Sequence, residues 1–190
     1  PTSERQFYVE SSVLRTLLDH TGAIPAPGFI AARARSHLPP YLIMTEIAGA
    51  TVEDSWETLT RAEQLAIAGE IGTITAAIHR LPQEDLAEVE QQFGGRREYA
   101  QLMQAERIAQ IEASKRLSTR QREAVLHYLV GEAQHFLDEP PKVTHSDFSH
   151  AHIYLVRETD TVKVAGLIDW AEAMLGPPEW DIAFHWFWTF

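Results

Sequence analysis

The sequence contains no cysteine, and this absence removes two classes of site at once. Disulfide-stapled secreted folds and thiolate metal centres both need cysteine sulfur. Basic residues are also scarce, with 16 Lys and Arg against 27 Asp and Glu, which gives a net charge of −11. A nucleic-acid partner is therefore not expected, because binding to phosphate backbones depends on Lys and Arg. The charge suits a cationic partner, a merely soluble acidic protein being the alternative.

Long apolar runs and glycine-rich phosphate loops are missing as well. No stretch approaches the ~20 apolar residues of a membrane span, and no signal peptide opens the chain, so we expect a cytoplasmic protein with no membrane partner. Neither G-x-G-x-x-G nor G-x-x-x-x-G-K-[ST] occurs in the 190 residues. With 45% apolar residues, the chain can still form the core of one domain, or of one domain and part of another.

The hydrophobic periodicity predicts an α+β fold with few, clustered strands, which disfavours a parallel Rossmann sheet. The predicted helices cover residues 3–20, 60–81, 83–117 (one or two helices, interrupted at the Gly94-Gly95 pair) and 119–137, with an aromatic helical tail from residue 178. The predicted strands form two hairpins, in residues 28–49 and 152–170, with IAGAT as a linker after the first.

The stretch VTHSDFSHAHIYLV, residues 143–156, concentrates three His and one Asp just before a predicted strand. Asp147 lies in the loop, and Asp169 follows the apolar strand VAGLI. A hairpin that leaves at His152 and returns at Ile168 would bring Asp169 beside Asp147. Two carboxylates and a third polar ligand at one point can position a hydroxyl for deprotonation and hold a divalent cation on a polyphosphate.

The same stretch permits a second interpretation. Its pattern H-x-D-x-x-H-x-H, formed by His145, Asp147, His150 and His152, has the residue types that ligate zinc in a metal hydrolase. That alternative leaves the I-D-W sequence at residues 168–170 without a role.

Several separated motifs, in the same order, resemble the aminoglycoside phosphotransferase and choline-kinase superfamily. The catalytic loop of that superfamily commonly reads H-G-D-x-x-x-x-N and its metal strand I-D-W; this chain has H-S-D at residues 145–147, then His152, then I-D-W at residues 168–170. Upstream, VESSVLRTLLDHTGAIPAPGFI resembles the E-x-x-V-L-x-x-L helix and G-x-P-x-P connection, PYLIMTEIAGAT the adenine hinge, and ITAAIHRLP the helix end L-x-x-L-H-x-L-P. The resemblance covers most of the chain.

The resemblance implies a protein-kinase-like fold and ATP-dependent or GTP-dependent phosphoryl transfer to a small molecule. Residues 1–47 would be a partial small lobe with a helix and the hinge strand. Residues 48–190 would be a mostly helical large lobe with the catalytic loop and the metal-binding hairpin. The implied cofactors are ATP, or GTP, and Mg²⁺, with Mn²⁺ as an alternative ion.

The resemblance also implies roles around the phosphates. Asp147 would accept or orient the proton of the attacking hydroxyl, and Asp169 would bind the metal ion that bridges the phosphates. His152 stands where Asn normally completes the metal site. His145 and Asp181 would support the loop structurally.

Nucleotide recognition is implied at the other end of the chain. Glu46 and Ile47 would offer backbone groups to adenine, with Met44 behind the ring. Glu10 would be the helix glutamate that pairs with the ATP-binding lysine.

Two departures from the family pattern carry consequences. Imidazole suits softer metals than Mg²⁺, so His152 would bind through water, favour Mn²⁺ or contact phosphate; macrolide phosphotransferases are similar in having His there. Ser146 replaces glycine, which the backbone tolerates if φ there is negative. Because no lysine strand or glycine-rich loop precedes Pro1, we expect a fragment or natural truncation, and a catalytically impaired pseudokinase is an alternative.

The sequence does not decide which antibiotic class would accept the phosphate. The acidic balance favours a cationic aminoglycoside, IDWAEAM is close to hygromycin-type phosphotransferases, and His152 favours macrolide kinases. The helices between residues 83 and 138 and those at the C-terminus would shape the acceptor pocket. The oligomeric state is not predicted.

Overall fold

Helices and short strands occur in separate runs along the chain, as predicted for an α+β protein. The computed structural model describes residues 3–19, 22–35, 38–138, 140–159 and 161–183. Its elements are α1 (Ser3–Asp19), β1 (Phe29–Arg35), β2 (Leu38–Met44), β3 (Ala50–Thr51), α2 (Val52–Ser55), α3 (Arg61–Ile78), α4 (Glu84–Gln92), α5 (Gly95–Ala113), α6 (Thr119–Asp138), β4 (Lys142–Thr144), β5 (Ile153–Glu158), β6 (Thr161–Leu167) and β7 (Met174–Gly176).

Two 3₁₀ turns and a final helical stretch complete the described chain. The turns cover Trp56–Thr58 and Trp170–Glu172. Residues 179–183 are helical, and the predicted aromatic tail beyond them lies outside the described residues. In the parts of the chain that the structure describes, no helix combines the length and apolar character needed to cross a membrane.

Helix α1 is amphipathic and packs against the turn that follows β6. Its apolar residues recur at helical spacing, and the buried ones are Val9, Val13, Leu14 and Leu17. The Gln6 side-chain amide donates a hydrogen bond to Glu172 Oε1 at 2.8 Å, which ties the helix to the Trp170–Glu172 turn. The face of α1 that carries Glu10 is therefore held beside the end of β6.

Strands β1 and β2 form an antiparallel hairpin, in agreement with the strands predicted there. Ala32 pairs with Leu42, and Phe29 pairs with Met44. Beyond the last pair, the Thr45 N–H donates to Gly28 O at 2.9 Å, and the Gly28 N–H donates to Thr45 Oγ1 at 2.7 Å. These two hydrogen bonds fix the point at which the chain leaves the hairpin toward residues 46–49.

Helix α3 begins at the predicted N-cap. Thr60 accepts from the Glu63 N–H, and the Glu63 carboxylate accepts from the Thr60 N–H at 2.7 Å, so the capping box is complete. Its core-facing stripe has i, i+4, i+7 and i+11 spacing: Ile67, Ile71, Ile74 and Ile78. The helix thus presents one apolar face to the core and brings its C-terminal end to His79.

The hairpin of β5 and β6 carries the site. Ile153 pairs with Leu167, so His152, just before this pair, and Asp169, two residues after it, lie at the same end of the hairpin. Strand β3, in the stretch that the sequence had marked as a linker, adds to β5. Gly49 precedes it with φ of 126°, and a Cβ there would overlap with Leu155 O, so only glycine allows this close approach.

A third sheet, β4 with β7, was not predicted from the sequence. Thr144 pairs with Met174, and the buried Glu90 of α4 accepts a hydrogen bond from the Leu175 N–H at 2.8 Å. Each strand has only three residues, which is too short for a recognisable alternation pattern. The sheet matters because Thr144 immediately precedes His145 and therefore fixes the start of the loop that follows.

Candidate active site

Asp147, His152 and Asp169 converge on one point. One ligand atom from each lies within 4.8 Å of the other two. His152 Nδ1 is 3.6 Å from Asp147 Oδ2, and His152 Nε2 is 3.5 Å from Asp169 Oδ2. The His152, Asp147 and Asp169 side chains are 19%, 32% and 47% exposed, so the group can be reached from solvent. The structure thus brings together the three residues that the sequence analysis placed around the phosphates.

The loop between Asp147 and His152 is closed by its own backbone. The Ser149 N–H donates to Asp147 O at 2.9 Å, and the His152 N–H donates to Ser149 O at 3.1 Å. The Ile168 N–H then donates to His152 O at 3.0 Å, which joins the loop to the end of β6. The two carboxylates therefore sit on one hydrogen-bonded frame instead of on independent loops.

His145 joins the loop to the end of β6 through its ring. Its Nε2–H donates to the Ile168 carbonyl at 2.9 Å, and its Nδ1 accepts from the Asp147 N–H at 3.3 Å. The ring is fully buried, with its centroid 4.6 Å from that of Trp170. Burial lowers the pKa of His145 to about 4, against the opposing charge of Asp181. The imidazole is therefore neutral and acts as a structural bridge.

Asp181 fixes the same loop through hydrogen bonds to its backbone. Its carboxylate accepts from the His145 N–H at 3.1 Å and from the Ser146 N–H at 2.8 Å. It is also 3.0 Å from Nε2 of His79, at the end of α3, and its side chain is completely buried. The sequence analysis placed Asp181 in support of the loop but gave it no partner on α3. The sequence signal that could have indicated this partner was the position of His79 within the motif ITAAIHRLP.

The backbone conformation of Ser146 differs from the one expected from the sequence. The sequence analysis required a negative φ for serine to replace glycine here, but φ is 65°, in the left-handed region that glycine favours. Thr144 Oγ1 donates to Met174 O at 3.1 Å, so the Ser146 hydroxyl, 2.8 Å away, donates to Thr144. These bonds, with the one to Asp181, offset the cost of about 1–2 kcal/mol for a left-handed residue with a Cβ.

The acidic groups around the site repel one another. Burial raises the pKa of Asp147; the charge of His152 opposes this shift, while Asp169 and Glu172 add to it. Burial also raises the pKa of Glu10, Asp169 adds to the effect, and a hydrogen bond from the Trp170 N–H opposes it. Glu10 thus lies near Asp169 in an excess of negative charge, which favours cations.

The predicted hinge lies against β6. Met44 ends β2 and packs against the hydrophobic core. A Cβ on Gly166 would overlap with Ile47 Cδ1, so Ile47 packs directly over β6, three residues before Asp169.

The zinc tetrad does not assemble among the residues that the structure describes. Both ring nitrogens of His145 are engaged by backbone groups. His150 stacks on Trp56, with ring centroids 5.6 Å apart, and its carbonyl accepts from the Glu53 N–H at 3.1 Å. Burial lowers its pKa. The group that does converge contains Asp169 in place of these two histidines.

The converging group fits a six-coordinate divalent cation. Metal–ligand bonds of about 2.1–2.2 Å separate neighbouring ligand atoms by roughly 3 Å and opposite ones by about 4.4 Å. The observed 3.5 Å between His152 Nε2 and Asp169 Oδ2, and the overall limit of 4.8 Å, are close to this range. Asp169 and His152 can therefore hold an ion with Asp147 beside it.

Comparisons with known proteins identify the family and the fold. A family model, that of the phosphotransferase enzyme family, matches residues 4–190. Similar solved structures include a GDP and kanamycin complex of APH(2")-IIia, with 18% identity and a TM-score of 0.66 over 97% of this chain and 63% of that one. A thermostable mutant of aminoglycoside phosphotransferase APH(4)-Ia, in ternary complex with ADP and hygromycin B, has 19% identity and a TM-score of 0.64 over 96% and 61%.

A streptomycin–ATP–APH(2")-IIa ternary complex has 20% identity and a TM-score of 0.60 over 95% of this chain and 60% of that one. The chain therefore spans just over 60% of the length of the structures that it matches first. No curated protein matches it. The fold is that of the kinase-like aminoglycoside phosphotransferases, and the chain belongs to the phosphotransferase enzyme family.

Proposed function

We propose that the chain carries the catalytic loop, metal site and hinge of a nucleotide-dependent phosphotransferase that moves the γ-phosphate of ATP or GTP to a hydroxyl of a small molecule. The observation that carries the proposal is the convergence of Asp147, His152 and Asp169 on one point. Phosphoryl transfer depends on positioning and charge neutralisation more than on covalent chemistry, so a small rigid group suffices.

Asp147 is the residue that handles the proton. Its carboxylate accepts a hydrogen bond from the acceptor hydroxyl and directs the oxygen toward the γ-phosphorus. It takes the proton as the new O–P bond forms and the bond to the nucleoside diphosphate breaks. The upward shift of its pKa makes it a stronger proton acceptor, and His145 fixes it by accepting from its backbone N–H.

Asp169 and His152 hold the divalent cation, Mg²⁺ or Mn²⁺. When bound, this ion neutralises charge on the phosphate chain. Asp169 adopts a left-handed backbone, with φ of 62° and ψ of 65°, two residues after the end of β6. Such a conformation is costly for a residue with a Cβ and is common where function fixes a side chain.

The nucleotide lies against the hinge. The carbonyl of Glu46 and the N–H of Ile47 bind adenine or guanine, and Met44 stands behind the ring. Glu10, near Asp169, takes the role of the helix glutamate that pairs with the ATP-binding lysine in the superfamily that the sequence resembles. The small lobe then ends at residue 47, and the large lobe starts at residue 48. A nucleotide-dependent enzyme of this kind acts in the cytoplasm.

The acceptor class that we favour is an aminoglycoside-type antibiotic. The net charge of −11 favours a polycationic acceptor, and the similar structures contain kanamycin, hygromycin B or streptomycin. A resistance function would follow from that acceptor. A macrolide is the second candidate, and the observation that favours it is His152 in the metal site, which macrolide phosphotransferases share.

The test is phosphoryl transfer by the complete gene product, assayed with ATP and with GTP across aminoglycosides, macrolides and choline-like alcohols. Asp147→Ala should lower kcat by roughly 10²–10⁴-fold while nucleotide affinity stays within about threefold. The matched control is Asp19→Ala, at an exposed aspartate at the end of α1. Turnover that survives in Asp147→Ala refutes the base assignment, and nucleotide binding without any turnover favours a pseudokinase.

A further inference from the structure

We infer that the chain has a second ligand site, in the cavity between α1, β1 and α4, and that this cavity binds a small zwitterion with an apolar body. An aromatic amino acid has this chemistry. The inference goes beyond the proposed function, because the residues that line the cavity belong neither to the catalytic group nor to the hinge. Three observations carry it: the size and apolar lining of the cavity, a buried hydroxyl, and the charges around the cavity.

The cavity has the size and the lining of a small-molecule site. Its volume is about 510 Å³, within the range of roughly 300–1,000 Å³ in which proteins bind small ligands. Its apolar lining comes from Phe7 and Tyr8 of α1, Ala32 of β1 and Val89 of α4. The Phe7 and Tyr8 rings meet edge to face, with centroids 5.3 Å apart. An apolar ring of a ligand can therefore pack against an aromatic surface here.

Ser11 adds a buried hydroxyl to the lining. The residue is 5% exposed, and its Oγ has no hydrogen-bond partner among the described residues. A helical hydroxyl can bond to the carbonyl four residues earlier, as Thr16 does with Ser12 at 3.2 Å and Thr75 does with Ile71 at 2.9 Å. The Ser11 hydroxyl makes no such bond, and an unpaired buried polar group costs free energy. A polar group of a ligand in the cavity can satisfy it.

Charges of both signs line the cavity, and two of them are unpaired. Arg15 is exposed, and its guanidinium lies over the Phe29 ring, 4.9 Å from the centroid, which leaves the N–H groups at its edge free to donate. Glu88 of α4 is exposed as well, and in the described part of the chain neither Arg15 nor Glu88 forms an ion pair. Asp85, one turn before Glu88, accepts from Thr16 Oγ1 at 3.0 Å and adds a second negative charge.

These groups match the two charged ends of an amino-acid zwitterion. Arg15 can bind a carboxylate through two parallel N–H groups, and Glu88 with Asp85 can bind an ammonium group. A simple amine would leave Arg15 unpaired, and a simple carboxylate would approach two like charges. The charges therefore favour a ligand that carries both groups.

The test compares three probes of similar size on the complete gene product: L-phenylalanine, phenethylamine, which lacks the carboxylate, and 3-phenylpropionate, which lacks the amine. Affinities are measured by saturation-transfer-difference NMR titration. L-Phenylalanine should bind with a Kd of about 1 mM or below, as expected for a ligand of its size. Each analogue should bind at least about threefold more weakly, because each loses one charged contact.

Two substitutions connect these affinities to the cavity. Arg15→Gln should remove the preference for L-phenylalanine over phenethylamine, and Glu88→Gln should reduce the preference for L-phenylalanine over 3-phenylpropionate. Glu84→Gln, at an exposed glutamate of α4 that does not line the cavity, is the matched control and should keep both preferences. Thermal melting checks that each variant folds.

Three results would overturn the inference. They are no binding of L-phenylalanine at about 10 mM, an analogue that binds the wild type as tightly as L-phenylalanine, and preferences unchanged in both Arg15→Gln and Glu88→Gln. The two proposals fail separately. Phosphoryl transfer without L-phenylalanine binding rejects the second site alone, and binding with the expected preferences but no phosphoryl transfer to any acceptor rejects the proposed function alone.

Discussion

Acidification should destabilise the protein through one residue in particular, His145. Its ring is fully buried, and the pKa is lowered from 6.5 to about 4, chiefly by burial. The unfolded chain therefore takes up a proton near pH 6.5, whereas the native protein takes it up only near pH 4. Between these values the unfolded state binds more protons, so stability is complete above pH 6.5 and falls as the pH is lowered toward 4.

The size of the effect follows from the size of the shift. One pKa unit corresponds to about 1.4 kcal/mol, so the lowering from 6.5 to about 4 corresponds to about 3 kcal/mol. This is a large part of the roughly 5–15 kcal/mol by which domains are stable. The loss should be progressive across the window and should not continue, for this group, below pH 4.

The assay is urea denaturation followed by tryptophan fluorescence at intervals from pH 7.5 to pH 4, on the wild type and on His145→Gln. Glutamine keeps a side-chain donor for the Ile168 carbonyl but cannot titrate. The variant should be less stable at pH 7 and should lose less stability on acidification. His127→Gln removes an exposed imidazole instead and should follow the wild type. If His145→Gln shows the wild-type pH dependence, the neutral structural role of His145 is refuted.

Three further changes test the frame around the site. Asp181→Asn leaves one side-chain oxygen to accept from two buried backbone N–H groups, and it should lower the free energy of unfolding by about 2–3 kcal/mol, measured from urea midpoints. A loss below about 0.5 kcal/mol would contradict these two hydrogen bonds. Thr60→Ala removes the cap of α3 and should cost about 1 kcal/mol, or ~2–4 °C in Tm; an unchanged Tm would contradict the capping box. Gly166→Val should displace Ile47 and weaken nucleotide binding by about tenfold, measured by calorimetry, whereas unchanged affinity would place the nucleotide elsewhere.

The features that sequence reasoning predicted are those set by neighbouring residues. The capping box of α3 needs only Thr60 and Glu63, and the helical stripe of α1 needs only its own spacing. The approach of Asp169 to Asp147 was also predictable, because a hairpin returns the chain to where it left. That geometry uses the pairing of Ile153 with Leu167, which two apolar runs around a polar turn already indicate.

The features that it missed depend on packing between distant segments. His79 and Asp181 are 102 positions apart, and no local pattern joins them. The contact of Ile47 with Gly166 and the pairing of β4 with β7 likewise appear only when the chain is folded. The positive φ of Ser146 accompanies a hydrogen bond from its N–H to Asp181, 35 positions away, so the residue type alone could not reveal it.

Nucleotide phosphates and a metal ion should meet at Asp147, Asp169 and His152. Crystals of the complete gene product with Mn²⁺ and a non-hydrolysable ATP analogue would locate the ion by its anomalous scattering. We predict an anomalous peak about 2.1–2.3 Å from Asp169 Oδ2 and His152 Nε2, with the γ-phosphate between the ion and Asp147. A nucleotide bound with its phosphates and ion away from these residues would contradict the account.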